Sequence, residues 1–166
     1  GVENSGKLVN CVIYGNYGRG VYAGEMINCT VYGNYGDGVI YPRFLLNCII
    51  WNNEKADIIR TIREDSIMFS CFPGGKDYGN ISANPLFVDT TGTSETWDLR
   101  LQDGSPCVDM GAIYDIPDED ILFNPRPGRD NKVCMGAFES PDSYLPGPGS
   151  PHQILYVSRS EEHTSE

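Results

Sequence analysis

Residues 8–16 read Leu8-Val9-Asn10-Cys11-Val12-Ile13-Tyr14-Gly15-Asn16, and the chain repeats this stretch twice with small changes. The second copy is residues 26–34, Met-Ile-Asn-Cys-Thr-Val-Tyr-Gly-Asn, and the third is residues 45–53, Leu-Leu-Asn-Cys-Ile-Ile-Trp-Asn-Asn. The copies are 18 and then 19 residues apart at their cysteines. A short fixed period in a β-rich segment is typical of a solenoid whose coils stack on one another.

The repeated stretch has two strand faces, because side chains alternate along a β-strand. Cys11 and Ile13 share one face, and Val12 and Tyr14 share the other. The second face carries Thr30 in the next copy, which suits solvent, so we expect the Cys/Ile face inside. Stacked coils then align equivalent residues, and burying each aliphatic member contributes about 1.5–3 kcal/mol. The expected ladders are Leu8, Met26 and Leu45; Cys11, Cys29 and Cys48; and Ile13, Val31 and Ile50.

The composition supports an all-β chain and restricts its partners. The 166 residues include 19 Gly and 10 Tyr, and no long amphipathic helical pattern occurs. The formal net charge of −11 argues against nucleic acid or an anionic membrane as a partner, since both require clustered Lys and Arg. Neutral glycans and basic ligands remain open. No apolar run reaches the length of a membrane span.

The chain divides into five segments by composition. Residues 1–72 are predicted to form β-helix coils, of which residues 54–72 form a fourth, longer coil containing Cys71, and residues 73–140 are predicted to form closing coils. Residues 141–152 are rich in Pro, Gly and Ser and indicate a linker. Residues 153–158 resemble the first strand of a further unit. Residues 159–166 match the translation of a common sequencing-library adaptor, so we interpret them as an artefact and the chain as a fragment open at both ends.

Several motifs after residue 83 follow one another in a recognisable order. They are Asn-Pro-Leu-Phe-Val-Asp (84–89), Leu-Arg-Leu (99–101), Gly-Ser-Pro-Cys-Val-Asp-Met-Gly (104–111), Asn-Pro-Arg-Pro (124–127) and Met-Gly-Ala-Phe-Glu (135–139). Together with the Asn-Cys coils, this order resembles the closing region of bacterial right-handed parallel β-helix proteins of the choice-of-anchor Q type. The resemblance implies a pectate-lyase-like solenoid that is secreted or placed at the cell surface, in a protein with tandem units. Cys134 departs from the family, which usually has Asp there.

The cysteines lack the paired spacing of a zinc site. Four of them, Cys11, Cys29, Cys48 and Cys71, recur with the coils. Stacked Cβ atoms about 4.8 Å apart lie slightly beyond the disulfide optimum, so we expect buried free thiols. Cys107 and Cys134 lie on different parts of the closing region, and their pairing stays open.

The asparagines that precede the repeated cysteines are Asn10, Asn28 and Asn47. Glycan contact is one interpretation, and Asn28-Cys29-Thr30 matches a glycosylation sequon. The structural interpretation is favoured, in which stacked side-chain amides at a corner donate to one coil and accept from another.

Aromatic residues also recur. Tyr14, Tyr32 and Trp51 are predicted to form an outward ladder, with Tyr17 and Tyr35 beyond the turn. Aromatic surfaces spaced along a groove suit a sugar polymer, because the apolar face of a pyranose can lie on them. Stacking between neighbouring strands also explains the ladder and is the favoured interpretation.

Asp115, Asp118 and Asp120, with Glu119, form an acidic cluster that could supply oxygen ligands to calcium. The spacing does not fit an EF-hand, and a solvated acidic turn is the favoured interpretation. No other cofactor is expected.

No catalytic residue is assigned, because the charged residues of the coils form no carboxylate pair on one face at the coil period. Two functions are weighed. The favoured one is an exported, monomeric surface module, structural or adhesive, for which binding of a polysaccharide or cell-surface glycan through the aromatic ladder stays open. The rival is a fragment of a polysaccharide lyase or glycoside hydrolase whose active site lies upstream of residue 1.

Overall fold

The structure, a computed structural model, describes residues 1–3, 6–61 and 63–141. The predictions made for residues 142–166 lie outside the described residues. The described part of the chain is almost entirely strand, turn and irregular structure, with short 3₁₀ turns at Glu64–Ser66, Ser94–Thr96 and Arg129–Asn131. Its strands are β1 (Val2–Glu3), β2 (Lys7–Val9), β3 (Val12–Tyr14), β4 (Val21–Ile27), β5 (Thr30–Tyr32), β6 (Val39–Leu46), β7 (Ile49–Trp51), β8 (Ile58–Ile59), β9 (Ile67–Met68), β10 (Phe87–Asp89) and β11 (Asp98–Leu101).

The strands of the repeats stack in parallel, coil on coil, and confirm the predicted solenoid. One sheet is built around β4 and β6, with β1, β2, β8 and β9 paired to them, and the second sheet has the order β3-β5-β7. Equivalent residues pair as expected: Leu8 with Met26 and Met26 with Leu45, and likewise Ile13 with Val31 and Val31 with Ile50. The fold is therefore a parallel β-solenoid of about three turns, consistent with a right-handed parallel β-helix.

The interior of the solenoid contains the face predicted to be buried. Met26, Cys29, Val31, Leu45, Cys48 and Ile50 are inaccessible to solvent and belong to one apolar cluster. Each of the three repeats adds one residue to each ladder, so the core extends along the axis. Removing one large member would leave a cavity between its two neighbours.

The opposite face of the second sheet is also buried, which corrects the prediction that it faces solvent. Residues 85–138 fold back along this flank, and the antiparallel pair of β10 and β11 lies within them. Thr30, Tyr32 and Ile49 are covered there, with Phe87, Leu99 and Met135 in the same cluster. The register explains why this face is buried. Thr30 pairs with Val12 on one side and Ile49 on the other, so the row of equivalent residues across the sheet is apolar except for Thr30.

The closing region joins the coils by parallel pairing only at its start. Ile81 forms an isolated parallel bridge with Cys71, and its backbone N–H donates to the carbonyl of Ser70 at 2.9 Å. The remainder of the closing region that the structure describes packs against the flank of the coils and is not stacked on their end as a further coil.

Candidate functional site

A second corner of each coil carries an asparagine ladder that the sequence analysis did not identify. The side-chain amide of Asn16 donates to Asn34 Oδ1 at 2.8 Å, and Asn34 donates to Asn53 Oδ1 at 2.8 Å. The backbone N–H groups of Asn16 and Asn34 donate to the same two oxygens at 3.1 Å. Each buried amide is therefore bonded on both sides, which fixes the corner of three successive coils.

The ladder ends on a carboxylate. Asp57 Oδ1 accepts from Asn53 Nδ2 at 2.7 Å and from the Asn53 backbone N–H at 2.9 Å. Along the ladder each side-chain amide donates to the side-chain oxygen of the next coil, and Asp57 supplies the acceptor at the last position. Asn34 and Asn53 also donate to carbonyls of the preceding coil, those of Ile13 and Val31. Burial raises the pKa of Asp57 above its usual value, and the bonds from Asn53 oppose that shift.

Two tyrosines project from this corner. Tyr17 and Tyr35 directly follow the ladder residues Asn16 and Asn34, and the Tyr35 backbone N–H donates to the Asn16 carbonyl at 2.9 Å. Their rings are nearly parallel, 16° apart, with centroids separated by 5.4 Å. Tyr17 is 94% exposed and Tyr35 54% exposed, so both rings keep surface open to solvent.

The tyrosines border a groove of about 460 Å³ that crosses successive coils. Tyr17, Gly18 and Arg19 line it from one coil, and Tyr35, Gly36 and Asp37 line it at the equivalent positions of the next. Glu3 and Lys55 lie farther along in the two directions.

The charged side chains of the groove balance. Arg19 forms an ion pair with Glu3, and its guanidinium carbon also lies 4.6 Å from the centroid of the Tyr22 ring. Asp37 and Lys55 contribute one charge of each sign. The ammonium of Gly1 also lines the groove and donates to Asn16 Oδ1 at 3.1 Å. The groove thus combines an aromatic pair with charged groups of both signs that can bond to hydroxyls.

The other predicted glycan-binding residues lie elsewhere. Tyr32 is 7% exposed, packed edge-on against Trp97 at 5.1 Å and against Phe87 at 5.2 Å, so the predicted outward ladder is wrong at its centre. Trp51 is half-buried on the same face. Tyr14 is 42% exposed, and the centroid of its ring lies 6.3 Å from the centroid of the Trp97 ring. Only Tyr17 and Tyr35 among the five form an exposed aromatic pair.

At the first corner, Asn10, Asn28 and Asn47 bind the closing region. Asn47 donates to the Ala112 carbonyl at 2.9 Å and accepts from the Ala112 N–H at 2.7 Å. Asn28 donates to the carbonyls of Cys134 and Gly136, and Asn10 to that of Glu119. One link follows the predicted ladder, from Asn47 Nδ2 to Asn28 Oδ1 at 3.4 Å. All three backbones are left-handed, which Asn tolerates better than most residues.

All six cysteines are free thiols in the structure, and only Cys11 is partly exposed. The thiols of Cys11, Cys29 and Cys48 each donate to a backbone carbonyl two residues earlier, at 3.3 Å. The neighbouring Cys29 thiol and burial raise the pKa of Cys11, and contact with Cys71 together with burial raises that of Cys107. Cys71 belongs to the cluster under the closing region, together with Cys107 and Cys134.

The acidic cluster is divided by the fold. The buried carboxylate of Asp120 accepts backbone N–H groups of Leu122, Asn124 and Glu139 at 2.7–2.9 Å, and so braces its loop. Asp115 is exposed, and Asp118 contributes its backbone carbonyl to Arg126. Within residues 1–3, 6–61 and 63–141 no group of three or more His, Cys, Asp or Glu side chains is placed to hold a metal ion. Calcium binding stays a prediction from the sequence.

No protein-family model, curated protein or solved structure matches this chain. The chain is thus placed by its fold, an all-β parallel β-solenoid, and its resemblance to the choice-of-anchor Q type remains a prediction. Among the described residues, no helix has the length and apolar character needed to cross a bilayer.

Proposed function

We propose that this protein is a carbohydrate-binding module, with a structural or adhesive role at a cell surface, and that the groove beside Tyr17 and Tyr35 is its binding site. The observation that carries the proposal is the exposed, nearly parallel pair of rings on a corner held by a ladder of asparagine hydrogen bonds. Aromatic rings offer a flat apolar surface to the C–H face of a sugar, and neighbouring polar groups can bond to its hydroxyls.

The rigidity of the corner supports binding. An exposed side chain that must be ordered on binding costs affinity, whereas one already positioned loses little freedom. The Asn16 and Asn34 amides hold the backbone immediately before each tyrosine, and the Tyr35 ring stacks on the exposed Tyr17 ring. The backbone that carries the two rings is therefore formed before a sugar arrives.

The proposed surface location is supported by the resemblance of the closing region, and the fold is compatible with a structural or adhesive module. The net charge of −11 favours solubility and disfavours contact with anionic lipid. A neutral glycan is the partner class that meets no electrostatic penalty here.

Affinity electrophoresis against a panel of soluble polysaccharides tests the proposal. We expect Tyr17→Ala and Tyr35→Ala each to weaken binding about tenfold, the equivalent of about 1.4 kcal/mol. Tyr78→Ala is the matched control, because Tyr78 is half exposed and lies outside the groove. Trp51→Ala, on the covered face, is expected to lower stability while leaving binding unchanged. Retention of full binding by Tyr17→Ala and Tyr35→Ala, or no binding by the parent, contradicts the proposal.

A further inference from the structure

A second groove, separate from the one beside Tyr17 and Tyr35, lies where the closing region crosses the flank of the first coil. We infer that this flank groove binds the proline-rich stretch of the chain itself, residues 142–151, which lies outside the described residues. The inference is independent of the proposed function, because the two grooves share no lining residue.

The flank groove is apolar and rich in aromatic rings. Tyr14, Trp97, Leu122 and Phe138 line a space of about 620 Å³. The Tyr14 and Trp97 rings are tilted by 45° to each other, so they form an angled wall and not a flat platform. Tyr14 and Leu122 both keep much of their side chains in solvent, and an apolar occupant would remove that surface from water.

The groove continues to the place where the proline-rich stretch starts. A second compartment of about 510 Å³ adjoins the first, since Arg100 and Leu122 line both. Pro141 lines this second compartment. The chain is fixed up to that point, because Ser140 is buried and its backbone N–H donates to Cys134 Sγ at 3.4 Å. The stretch that follows Pro141 therefore begins in the flank groove.

The sequence of the stretch suits such a groove. Residues 142–151 read Asp-Ser-Tyr-Leu-Pro-Gly-Pro-Gly-Ser-Pro, with Tyr144, Leu145 and Pro146 as their apolar part. Proline-rich segments bind grooves lined by aromatic rings, because they are extended before binding and lose little conformational freedom. At about 3.1 Å per residue, Tyr144 to Pro146 can reach about 9–16 Å from Pro141, which is enough to cross a compact compartment about 10 Å wide.

The charges of the groove also favour an uncharged occupant. In the first compartment, Arg100 Nε donates to Asp98 Oδ1 at 2.9 Å, so the two charges compensate each other. In the second compartment, Glu139 is buried in an ion pair, and Asp103 is exposed and keeps its hydration. Residues 143–151 carry no charged side chain, so their docking leaves no charge to be desolvated without a partner.

The covalent connection lowers the affinity that docking requires. The stretch follows Pro141 directly, so its effective concentration at the groove is on the order of 1 mM. An intrinsic dissociation constant of about 0.1 mM would then fill the groove about nine-tenths of the time. A weak apolar contact is therefore sufficient to keep the groove occupied.

The test is acrylamide quenching of Trp97 fluorescence in the intact chain. The chain has two tryptophans, so Trp51→Phe leaves Trp97 as the reporter. On this background, Tyr144→Ser with Leu145→Ser removes the apolar side chains of the stretch. We expect the quenching constant to rise about twofold, because the groove changes from mostly filled to mostly empty.

Tyr78→Ser with Ile113→Ser is the matched control. It also replaces one tyrosine and one aliphatic residue, both half exposed and outside the flank groove. We expect it to leave the quenching constant unchanged, which separates occupancy of the groove from a general loss of apolar surface.

A synthetic peptide of residues 141–151 gives a second readout. We expect it to protect Trp97 in the Tyr144→Ser/Leu145→Ser variant and to bind the parent about tenfold more weakly, because the parent's own stretch competes. Adding Leu122→Ser to the variant should weaken peptide binding about tenfold, the equivalent of about 1.4 kcal/mol. Ile113→Ser should not, although Ile113 is 51% exposed and Leu122 52%.

Equal quenching of Trp97 in the parent and in the Tyr144→Ser/Leu145→Ser variant overturns the inference, as does peptide binding that Leu122→Ser leaves unchanged. Protection of Trp97 that increases with the concentration of the parent would assign the flank groove to a second copy of the chain, and would equally overturn it.

Discussion

The guanidinium of Arg126 donates from Nε to Glu139 Oε1 at 2.6 Å, and both side chains are completely buried. Arg126 also donates to Asn10 Oδ1 at 2.7 Å and to the Gly136 carbonyl at 3.3 Å, so one residue of the closing region binds both the first coil and its own segment. Burial raises the pKa of Glu139, and the neighbouring Arg126 charge opposes that shift. The closing region is therefore attached to the solenoid through a buried ion.

Arg126→Ala is expected to lower the free energy of unfolding by about 3–5 kcal/mol, because it leaves the Glu139 carboxylate buried without its partner. Urea denaturation followed by circular dichroism measures the loss. Arg63→Ala is the matched control, since the Arg63–Asp65 pair is exposed and its removal should leave the midpoint unchanged. Equal midpoints for Arg126→Ala and the parent would mean that this ion pair does not hold the closing region.

The Asn ladder gives a prediction with a pH dependence. Asp57→Ala removes the acceptor of two Asn53 donors and should cost about 1–3 kcal/mol. Asp57→Asn keeps an acceptor oxygen but cannot ionise. Burial raises the folded-state pKa of Asp57 above its usual value of 3.8. This shift stabilises the folded protein fully below pH 3.8, where the side chain is protonated, and the stabilisation is lost as pH rises through the folded-state pKa.

We therefore expect Asp57→Asn to gain stability relative to the parent as pH rises through the acidic range, with a constant difference at higher pH. Thermal melts of the two proteins, recorded in parallel from acid to neutral pH, measure this difference. If the stability of Asp57→Asn relative to the parent falls as pH rises, the folded-state pKa of Asp57 is not raised.

The core and register could be predicted from the sequence, whereas the closing contacts could not. Leu8, Met26 and Leu45 recur at the coil period, and periodicity alone aligns them. Asn16, Asn34 and Asn53 also recur at the coil period, because each copy of the repeat ends in Asn. A ladder was nevertheless predicted only for the Asn before each Cys. The covering of Tyr32 depends on residues far along the chain, and no local pattern specifies which surface they pack on.

Trp97 and Gly33 should be coupled across the covered flank. A Cβ on Gly33 would lie 2.5 and 2.6 Å from two carbons of the Trp97 indole, and Gly33 has a φ of +60°. Gly33→Ala should therefore destabilise the protein through both the ring clash and about 1–2 kcal/mol of backbone strain. In a double-mutant cycle, Trp97→Ala should remove the clash but leave the strain.

Gly18→Ala serves as the control for this cycle, because a Cβ there meets no atom within 4 Å. Chemical denaturation of the four proteins of the cycle gives the coupling energy. Strict additivity of Gly33→Ala and Trp97→Ala would show that the indole does not pack on this glycine.

The thiols provide a final prediction, which follows from their burial. Six free thiols should react in protein unfolded without reductant, since the structure contains no disulfide among its six cysteines. In the folded protein, reaction should be slow, because five of the six thiols are buried away from the reagent and the pKa of the partly exposed Cys11 thiol is raised. Cys11 should react first as the only partly exposed thiol, and Cys11→Ser should remove that fastest phase. A count of four in the unfolded protein would instead indicate a disulfide, for which Cys71 and Cys107, in contact beneath the closing region, are the first pair to examine.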